Sequence, residues 1–285
     1  MIGILSVVAT ALAVTLAPTQ QSQNADAIRA YWTPERMHEA IAASDPAPAS
    51  ADPAPPDGVP WVLGRGSVRQ VGRLFMVLPT GQKATCTAAV VDSPNRDTIA
   101  TAGHCVHLHA YGGFMKSLLF VPGCDRDDWP HGGFTARSVG IAPAWADKED
   151  HKADFAFVAL DTDVKNRHVQ DVVGARKAVF APVAGEKTAL GYPYVKPYDG
   201  EILQYCSGPT TPIHDSRLAG GEQLKPCRMT NGASGGPWYA RTPKGEDVQV
   251  GVTSARQTSA GAGDEAWGAM FDGAARRLHD EQGRL

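Results

Sequence analysis

Three short stretches of the sequence carry side chains whose types and order indicate hydrolytic chemistry. Ser234 lies in a Gly-Ala-Ser-Gly-Gly stretch, where glycines on both sides free the backbone to turn sharply. Such a loop can aim backbone N–H groups at a developing negative charge, as an oxyanion hole requires. His104 follows a Thr-Ala-Gly run at the end of a predicted strand, and Asp154 opens the apolar run Phe155–Leu160. Each residue by itself also fits an ordinary turn or core position. The interpretation therefore rests on the order in which all three occur.

The order of the three residues distinguishes two kinds of hydrolase. The serine stretch also matches the nucleophile elbow of α/β-hydrolases, which requires the chain order serine, acid, histidine. Here the order is histidine, aspartate, serine, and the histidine that follows Ser234 is His279, on a predicted terminal helix. The sequence also lacks the alternation of strands and helices that builds a parallel sheet. The pattern therefore disfavours an α/β-hydrolase esterase, which is kept as an alternative.

The motifs around His104 and Ser234 resemble those of the chymotrypsin-like (trypsin-like) serine peptidases. Gly191-Tyr192-Pro193 and the stretch Lys196–Gly200 are similar to secreted actinobacterial members near the glutamyl endopeptidases. The resemblance covers about Gly66 to Phe271. It implies an all-β fold of two six-stranded antiparallel β-barrels, with the active site in the cleft between them. A C-terminal helix is predicted over Asp272–Gln282.

The resemblance also implies a role for each of the three residues. Ser234 would be the nucleophile, His104 the general base and then the general acid, and Asp154 the carboxylate that orients the imidazole. The N–H groups of Gly232 and Ser234 would form the oxyanion hole. Asp154 is chosen over four nearby aspartates because it directly precedes a buried-looking strand. Those four are Asp147, Asp150, Asp161 and Asp163.

Cleavage-site preference is predicted from positions that line the substrate pocket in the family. Arg228, six residues before Ser234, would repel basic side chains and could pair with a carboxylate, which favours acidic cleavage sites. Thr253 stands where glutamyl endopeptidases carry a pocket histidine, which weakens that expectation. Thr253, Ser254 and Ala255 would line the edge strand that pairs with the substrate backbone. An arginine that simply points to solvent is the alternative for Arg228.

Activation is expected to differ from that of many family members. They carry an aspartate just before the nucleophile, where it receives the new N-terminal ammonium after cleavage. This sequence has Ala233 there. That ion pair is therefore not available, and any activation by propeptide removal would act by steric unblocking.

The five cysteines are an odd number, so one thiol is left over or pairs with another chain. The resemblance places Cys86 and Cys105 in the family's disulfide beside the histidine. We expect a second bridge between Cys206 and Cys227. Cys124 would be a buried thiol. The histidine-rich stretch 104–109 is assigned to strand or surface positions, and neither a metal site nor a cofactor is predicted.

Composition indicates a globular protein built from short strands. The chain has 285 residues, of which 43% are hydrophobic and 20% charged, with 30 glycines and 21 prolines. Frequent turn residues suit short strands better than long helices. The predicted strands are Val71–Leu78, Lys83–Val91, Thr98–Ala102, Ser117–Val121, Phe134–Ile141, Asp154–Leu160, Ala178–Pro182, Lys187–Tyr192, Glu201–Ser207, Gly236–Tyr239, Asp247–Thr253 and Ala266–Phe271.

The N-terminal region reads as an export signal followed by an extension. An apolar run over Ile2–Ala17 precedes an Ala-Asp-Ala site, which predicts a signal peptide over residues 1–27. Residues 28–66 are predicted as a pro-segment and linker: a helix over 28–45, with Pro34 at a helix start, and then a Pro- and Ala-rich stretch. An extension that is never cleaved is the alternative. The peptidase domain is predicted over 67–285, with barrels at about 67–165 and 175–271.

Together these patterns predict a secreted, monomeric serine endopeptidase that acts on protein or peptide substrates. The net charge of −3 favours neither nucleic acid nor an anionic membrane as a partner. The competing hypothesis is a catalytically silent, secreted binding protein on a peptidase scaffold. The presence of all three residue types of the triad argues against it.

Overall fold

The computed structural model describes residues 19–21, 24–43, 59–60, 68–126, 128–216, 220–257 and 264–285. The apolar run of the predicted signal peptide and most of the predicted linker lie outside these residues. Within the described ranges, no helix combines the length and the apolar character needed to cross a membrane.

Short antiparallel strands dominate the described part of the chain. In chain order they are β1 (Thr19–Gln21), β2 (Val59–Pro60), β3 (Val71–Val77), β4 (Lys83–Val90), β5 (Thr98–Thr101), β6 (His107–Leu108), β7 (Gly113–Phe114), β8 (Lys116–Pro122), β9 (Phe134–Ile141), β10 (Ala156–Leu160), β11 (Lys187–Gly191), β12 (Gln204–Gly208), β13 (Thr210–Pro212), β14 (Glu222–Leu224), β15 (Pro237–Arg241), β16 (Asp247–Gln257) and β17 (Glu265–Met270). The α-helices are α1 (Ala25–Tyr31), α2 (Pro34–Ala43), α3 (Pro143–Lys148), α4 (Val169–Val173) and α5 (Gly273–Gln282).

The first sheet closes into a six-stranded barrel. Its order is β9-β10-β5-β4-β3-β8, and β8 pairs again with β9 to close the ring, while β1 adds a strand along the outer edge of β9. Every residue of β10 is buried, because one face fills the barrel and α5 covers the other. The near-continuous apolar composition of β10 is what a strand covered on both faces requires.

The second sheet has eight strands in the order β13-β14-β17-β16-β15-β11-β12-β2. It curls into a half-barrel, and no strand pairing between its two edges is found among the described residues. The predicted class, two antiparallel barrels with a C-terminal helix, is therefore confirmed, with the second barrel more open than expected. All named strands pair antiparallel, which contradicts the α/β-hydrolase alternative.

Two details of the predicted elements are wrong. The stretch predicted as a strand over Ala178–Pro182 makes a single bridge, from Ala178 to Gln249. Around this bridge, Gln249 accepts the N–H of Val179 and donates its own N–H to the carbonyl oxygen of Lys177, and the pairing does not extend along the rest of the stretch. The helical stretch predicted over 28–45 is two helices, α1 and α2, instead of one; the predicted start at Pro34 is that of α2, where Thr33 accepts the N–H of Arg36 at 3.4 Å.

The buried apolar residues form a core in the first barrel, a second core between the two sheets, a third within the second sheet around Trp238, and a small cluster of Ile213 and Trp267. The first barrel's core includes Phe120, Phe157 and, from α5, Leu278. The second core joins residues of the first sheet, such as Phe75, to residues near β11 of the second sheet, such as Tyr192. Side chains of α1 and α2 complete this second core, so the N-terminal helices belong to the packed part of the molecule.

Candidate active site

His104 and Asp154 are brought together by two neighbouring strands of the first barrel. His104 lies in a short 3₁₀ turn just after β5, and Asp154 lies just before β10. Because Thr101 of β5 pairs with Ala156 of β10, the two residues sit at the same end of the barrel. Asp154 Oδ1 accepts the backbone N–H of His104 at 2.8 Å, and Asp154 Oδ2 lies 2.8 Å from Nδ1 of the same residue. The carboxylate therefore fixes both the turn and the imidazole.

A third donor completes the surroundings of the Asp154 carboxylate. Ser254 of β16 donates its hydroxyl to Asp154 Oδ2 at 2.6 Å, so the second sheet contributes to a group of the first. Asp154 is fully buried. Burial alone would raise the pKa of Asp154, but the charge of His104 and the hydrogen bonds from His104 and Ser254 outweigh it and lower the pKa below its usual value. The carboxylate therefore stays ionised inside the protein.

The same pair sets the protonation of His104. Burial disfavours the imidazolium and would lower the pKa of His104, yet the attraction of Asp154 and their hydrogen bond prevail and raise that pKa. The His104 side chain keeps 24% of its surface exposed, so it is open to the cleft. With Nδ1 held by the carboxylate, Nε2 is the nitrogen available to exchange a proton.

Ser234 lies in a tight loop before β15 whose backbone only glycine can follow. Gly232 and Gly235 have positive φ angles of +94° and +77°. A Cβ on Gly235 would lie 2.1 Å from Thr101 Oγ1 and 2.4 Å from the carbonyl oxygen of Thr87. The loop is thus pressed directly against the strand end that leads to His104.

Thr87 of β4 joins this loop to the first barrel. Its hydroxyl donates to the carbonyl oxygen of Gly232 at 2.8 Å, and its N–H donates to the carbonyl oxygen of Ser234 at 2.8 Å. The same hydroxyl accepts the N–H of Tyr192 at 3.0 Å. The sequence analysis did not single out Thr87, because a threonine in an apolar strand gives no local signal of its partners.

His104, Gly232 and Ser234 line one cleft of about 540 Å³. Neither Gly232 nor Ser234 donates its N–H to a backbone carbonyl within the described part of the chain. These two N–H groups are therefore available to a ligand, as an oxyanion hole requires. The other walls include the Cys86–Cys105 pair, Tyr194 and Lys83.

Comparison with known proteins identifies the family. The sequence model of the Trypsin family matches residues 62–267, more than half of the chain. The chain belongs to the Trypsin family. Its fold is similar to that of chymotrypsin-like serine proteases, as the resemblance in the motifs implied.

Three solved structures illustrate the similarity of this Trypsin-family chain to known proteases. Protease Anisep from Arthrobacter nicotinovorans has a TM-score of 0.69 and 27% identity, over 76% of this chain and 97% of that one. The thermostable serine protease AL20 from an extremophilic microorganism has a TM-score of 0.68 and 30% identity, over 76% of this chain and 98% of that one. A Glu endopeptidase has a TM-score of 0.62 and 18% identity, over 81% and 98%, a likeness of fold alone.

A curated relative matches over a shorter stretch. The extracellular metalloprotease of Bacillus subtilis (strain 168) is 26% identical over 76 residues, which is 27% of this chain. The match spans 23% of the length of that relative, so it carries no conclusion about the whole protein.

The cysteines of this Trypsin-family chain form the two disulfides that were expected. Cys86 bonds Cys105, and Cys206 bonds Cys227. Cys124 is a free, buried thiol, and burial raises its pKa to about 11. Such a thiol is almost wholly protonated near neutral pH and therefore a poor nucleophile.

One group of ligand-type side chains lies at the site. The ligand atoms of Cys86, His104 and Cys105 all lie within 4.8 Å of one another. The two sulfurs are joined in the disulfide, and a disulfide sulfur is not the thiolate that binds zinc or iron. The cluster is therefore explained by the disulfide beside the histidine.

The residues predicted to bind substrate make contacts of different kinds. Arg228 forms an ion pair with Asp264 and does not line the cleft of His104 and Ser234. The buried Thr253 hydroxyl accepts the indole N–H of Trp238 at 3.0 Å. Ser254 directs its hydroxyl to Asp154, a contact that its assignment to an edge strand did not anticipate.

The strand that carries Thr253 and Ser254 is paired on its β15 side over only part of its length. On its β15 side, the pairing of β16 ends where Val252 faces Pro237, and Thr253 donates its N–H to the Gly236 carbonyl. Beyond that point, the described pairing of β16 is with β17 alone, through Gln257. Thr253 also accepts the N–H of Gly235 at 2.8 Å, so both of its backbone groups are taken, and the edge open to an extended peptide begins after Thr253, at Ser254 and Ala255.

Ala233 packs closely against Gly191 at the end of β11. It is buried, and a Cβ added to Gly191 would lie 2.7 Å from the Ala233 Cα and Cβ. The residue before Ser234 thus acts as a small packing element between the serine loop and β11.

Proposed function

We propose that this Trypsin-family chain is a serine endopeptidase that hydrolyses peptide bonds through an acyl-enzyme. The observation that carries the proposal is that Ser234 and His104 line one cleft, with the imidazole of His104 held from behind by the buried Asp154. The family match and the protease neighbours support a peptidase in general terms.

The proposed reaction follows from the roles of the three side chains. His104 Nε2 takes the proton of the Ser234 hydroxyl while the oxygen attacks the carbonyl carbon of the scissile bond. The N–H groups of Gly232 and Ser234 stabilise the oxyanion by about 3 kcal/mol per donor in comparable sites. His104 then protonates the leaving amine, and a water molecule, activated in the same way, hydrolyses the ester. Asp154 stabilises the imidazolium in both steps.

The test is labelling of the purified protein with a fluorophosphonate probe, with Ser234→Ala as the matched control. Wild type should label at Ser234, as peptide mapping of the adduct can verify, and the variant should not label. A folded wild type that never labels and cleaves no peptide would refute the proposal. In that case the alternative of a silent binding protein would be favoured.

The expected preference for acidic cleavage sites loses part of its basis. Arg228 already has a carboxylate partner in Asp264, so a substrate carboxylate would have to compete for the guanidinium. The preference stays a prediction for a panel of peptides that vary the residue before the cleaved bond. Cleavage after lysine or arginine would contradict it.

We further propose that the protein is exported, cleaved after Ala27 and monomeric. The apolar run and the Ala-Asp-Ala site are the support for export. N-terminal sequencing of protein from culture medium, with light scattering for the mass, tests these points. Retention in the cells, or a dimer mass, would contradict the corresponding claim.

A further inference from the structure

The helices α1 and α2 are packed into the protein rather than laid on its surface. Ile28, Trp32 and Met37 are at most 5% exposed, and Ala40 is fully buried. All four belong to the core that lies between the two sheets. An amphipathic segment that buries a whole face in this way is part of a hydrophobic core, not a covering of polar surface.

Several contacts tie these helices to the first barrel. The Trp32 ring lies 5.5 Å from that of Phe75 in β3, and its indole N–H donates to the carbonyl oxygen of Ser117 at 2.6 Å. Glu39 pairs with Lys83 of β4 at 3.0 Å. Because Lys83 lines the cleft of His104 and Ser234, α2 reaches one wall of the proposed active site.

The same segment also contacts the second sheet. A Cβ on Gly200, in the loop between β11 and β12, would lie only 3.0 Å from Cγ2 of Ile41, so that side chain packs on the loop backbone. Farther along, β2 pairs with β12, with Val59 opposite Tyr205. The described segments before residue 68 thus contact the first barrel and also the second sheet and one of its loops.

We propose that residues 28–43, the N-terminal clamp, remain in the active enzyme and hold the two barrels together. Cleavage after Ala27 would remove β1, the Asn24 cap and the first three residues of α1, but Ile28, Trp32, Met37 and Ala40 would remain in the chain. Loss of the clamp would instead expose the apolar groups it covers, among them Phe75 and Leu119, at the junction of the barrels. The segment expected to be a removable pro-segment is therefore assigned a permanent structural role.

The first experiment asks whether the N-terminal clamp stays bound to the barrels after the chain has been cut behind it. A recognition sequence for a site-specific protease is inserted between Ser50 and Ala51 of the Ser234→Ala variant, which prevents self-cleavage. After cutting, the fragment that carries residues 28–43 should co-elute with the barrels in gel filtration, as mass spectrometry of the peak can verify. Elution of the fragment by itself, with folded barrels, would overturn the proposal.

The second experiment uses two identical substitutions in one helix. Ala40→Glu places a carboxylate at a fully buried position, and Ala42→Glu places it at an exposed one. We expect Ala40→Glu to lower Tm by about 8 °C or more, since a buried unpaired charge is strongly destabilising, and Ala42→Glu to change it little.

Hydrogen exchange then tests whether the N-terminal clamp stabilises both sheets. In Ala40→Glu, amide exchange should accelerate in β11 and β12 of the second sheet as well as in β3 and β4 of the first. Faster exchange confined to the first barrel, or equal Tm values for the two variants, would overturn the clamp.

A third experiment, fluorophosphonate labelling of the cut protein, distinguishes failure of the clamp from failure of the proposed function. With Ser234 restored, cutting should leave the rate of fluorophosphonate labelling within about twofold of the uncut protein. A large gain of labelling on release of the fragment would indicate an inhibitory pro-segment and overturn the clamp. If neither form labels, the proposed function fails, while the gel-filtration and exchange results still decide the clamp.

Discussion

Asp154 keeps a negative charge at a position without solvent contact because three donors face its carboxylate. Two come from His104, which it orients, and the third is the hydroxyl of Ser254. A carboxylate that accepts three hydrogen bonds, one of them from a group of opposite charge when His104 is protonated, is tolerated in a protein interior, whereas an unpaired one is not. The arrangement therefore fixes the imidazole and also makes its orientation depend on the second sheet.

Replacement of Asp154 by asparagine should remove the charge while preserving the shape of the site. We expect kcat/KM to fall by about 10⁴-fold, the size known for this substitution in the Trypsin family, because the amide favours the wrong imidazole tautomer. The measurement is peptide hydrolysis alongside circular dichroism, which should be unchanged. Turnover close to that of wild type in the folded variant would disprove the role of Asp154.

The raised pKa of His104 predicts a loss of activity at low pH. In the proposed mechanism the neutral imidazole is the base, so kcat/KM should fall as the pH drops through the raised pKa and His104 becomes protonated. In Asp154→Asn the attraction to the carboxylate is gone, so the fall of the residual activity should move to lower pH. A pH profile of both proteins checks the direction. A fall at the same or at higher pH would show that Asp154 does not control the titration.

Strand β4 links the two halves of the site through one residue. Thr87 offers its hydroxyl and its N–H to the serine loop, and its carbonyl oxygen accepts the hydroxyl of Thr101 at 2.9 Å, near His104. Each of these groups is buried, so each lost partner leaves an unsatisfied polar atom. Strand β4 therefore couples the position of the serine loop to that of the turn that carries His104.

Thr87→Val keeps the shape of the side chain and removes its hydroxyl. The carbonyl of Gly232 and the N–H of Tyr192 would lose their partner, which should cost about 2 kcal/mol or more of unfolding free energy. We expect Tm to fall by about 5 °C or more and kcat/KM to fall with it. Thr85→Val, in the same strand, is the control, since its hydroxyl makes one long bond of 3.4 Å to the neighbouring carbonyl. Equal behaviour of the two variants would argue against the link.

The sequence predicted those parts of the site that have local signals. The glycines around Ser234, the turn at His104 and the apolar strand after Asp154 are each visible within a few residues. The contacts of Thr87 and Ser254 are not, because they join residues about 100 or more positions apart. The predicted strand at Ala178 failed for a similar reason, since a β-like composition says nothing about whether a neighbour is present to pair with it.

The two barrels are fastened by segments that lie outside both of them in sequence. The N-terminal clamp packs at their junction, and α5, which follows the second sheet, packs on the first barrel through Ala275 and Leu278. Both cores therefore contain buried residues from the two sheets. Thermal unfolding should therefore be one cooperative transition instead of two.

Leu278→Ala tests the contribution of α5 to that cooperativity. Leu278 is buried against the first barrel, so its truncation should cost about 2–5 kcal/mol and lower Tm by roughly 5–10 °C. Arg277→Ala, the exposed neighbour in the same helix, should change stability by less than about 0.5 kcal/mol. Calorimetry measures both. A separate early transition in Leu278→Ala would contradict the shared core.

The docking of α5 also sets an order of events during synthesis. Strands β9 and β10 are made long before α5, yet α5 covers them, and a Cβ on Gly140 of β9 would lie 2.9 Å from the Gln282 amide nitrogen. A nascent chain therefore leaves the ribosome with its first barrel uncovered until residues 273–282 emerge. Because α5 follows the second sheet in the chain, the first barrel gains this cover only after the strands of the second sheet have been made, so its folding is not finished independently of theirs.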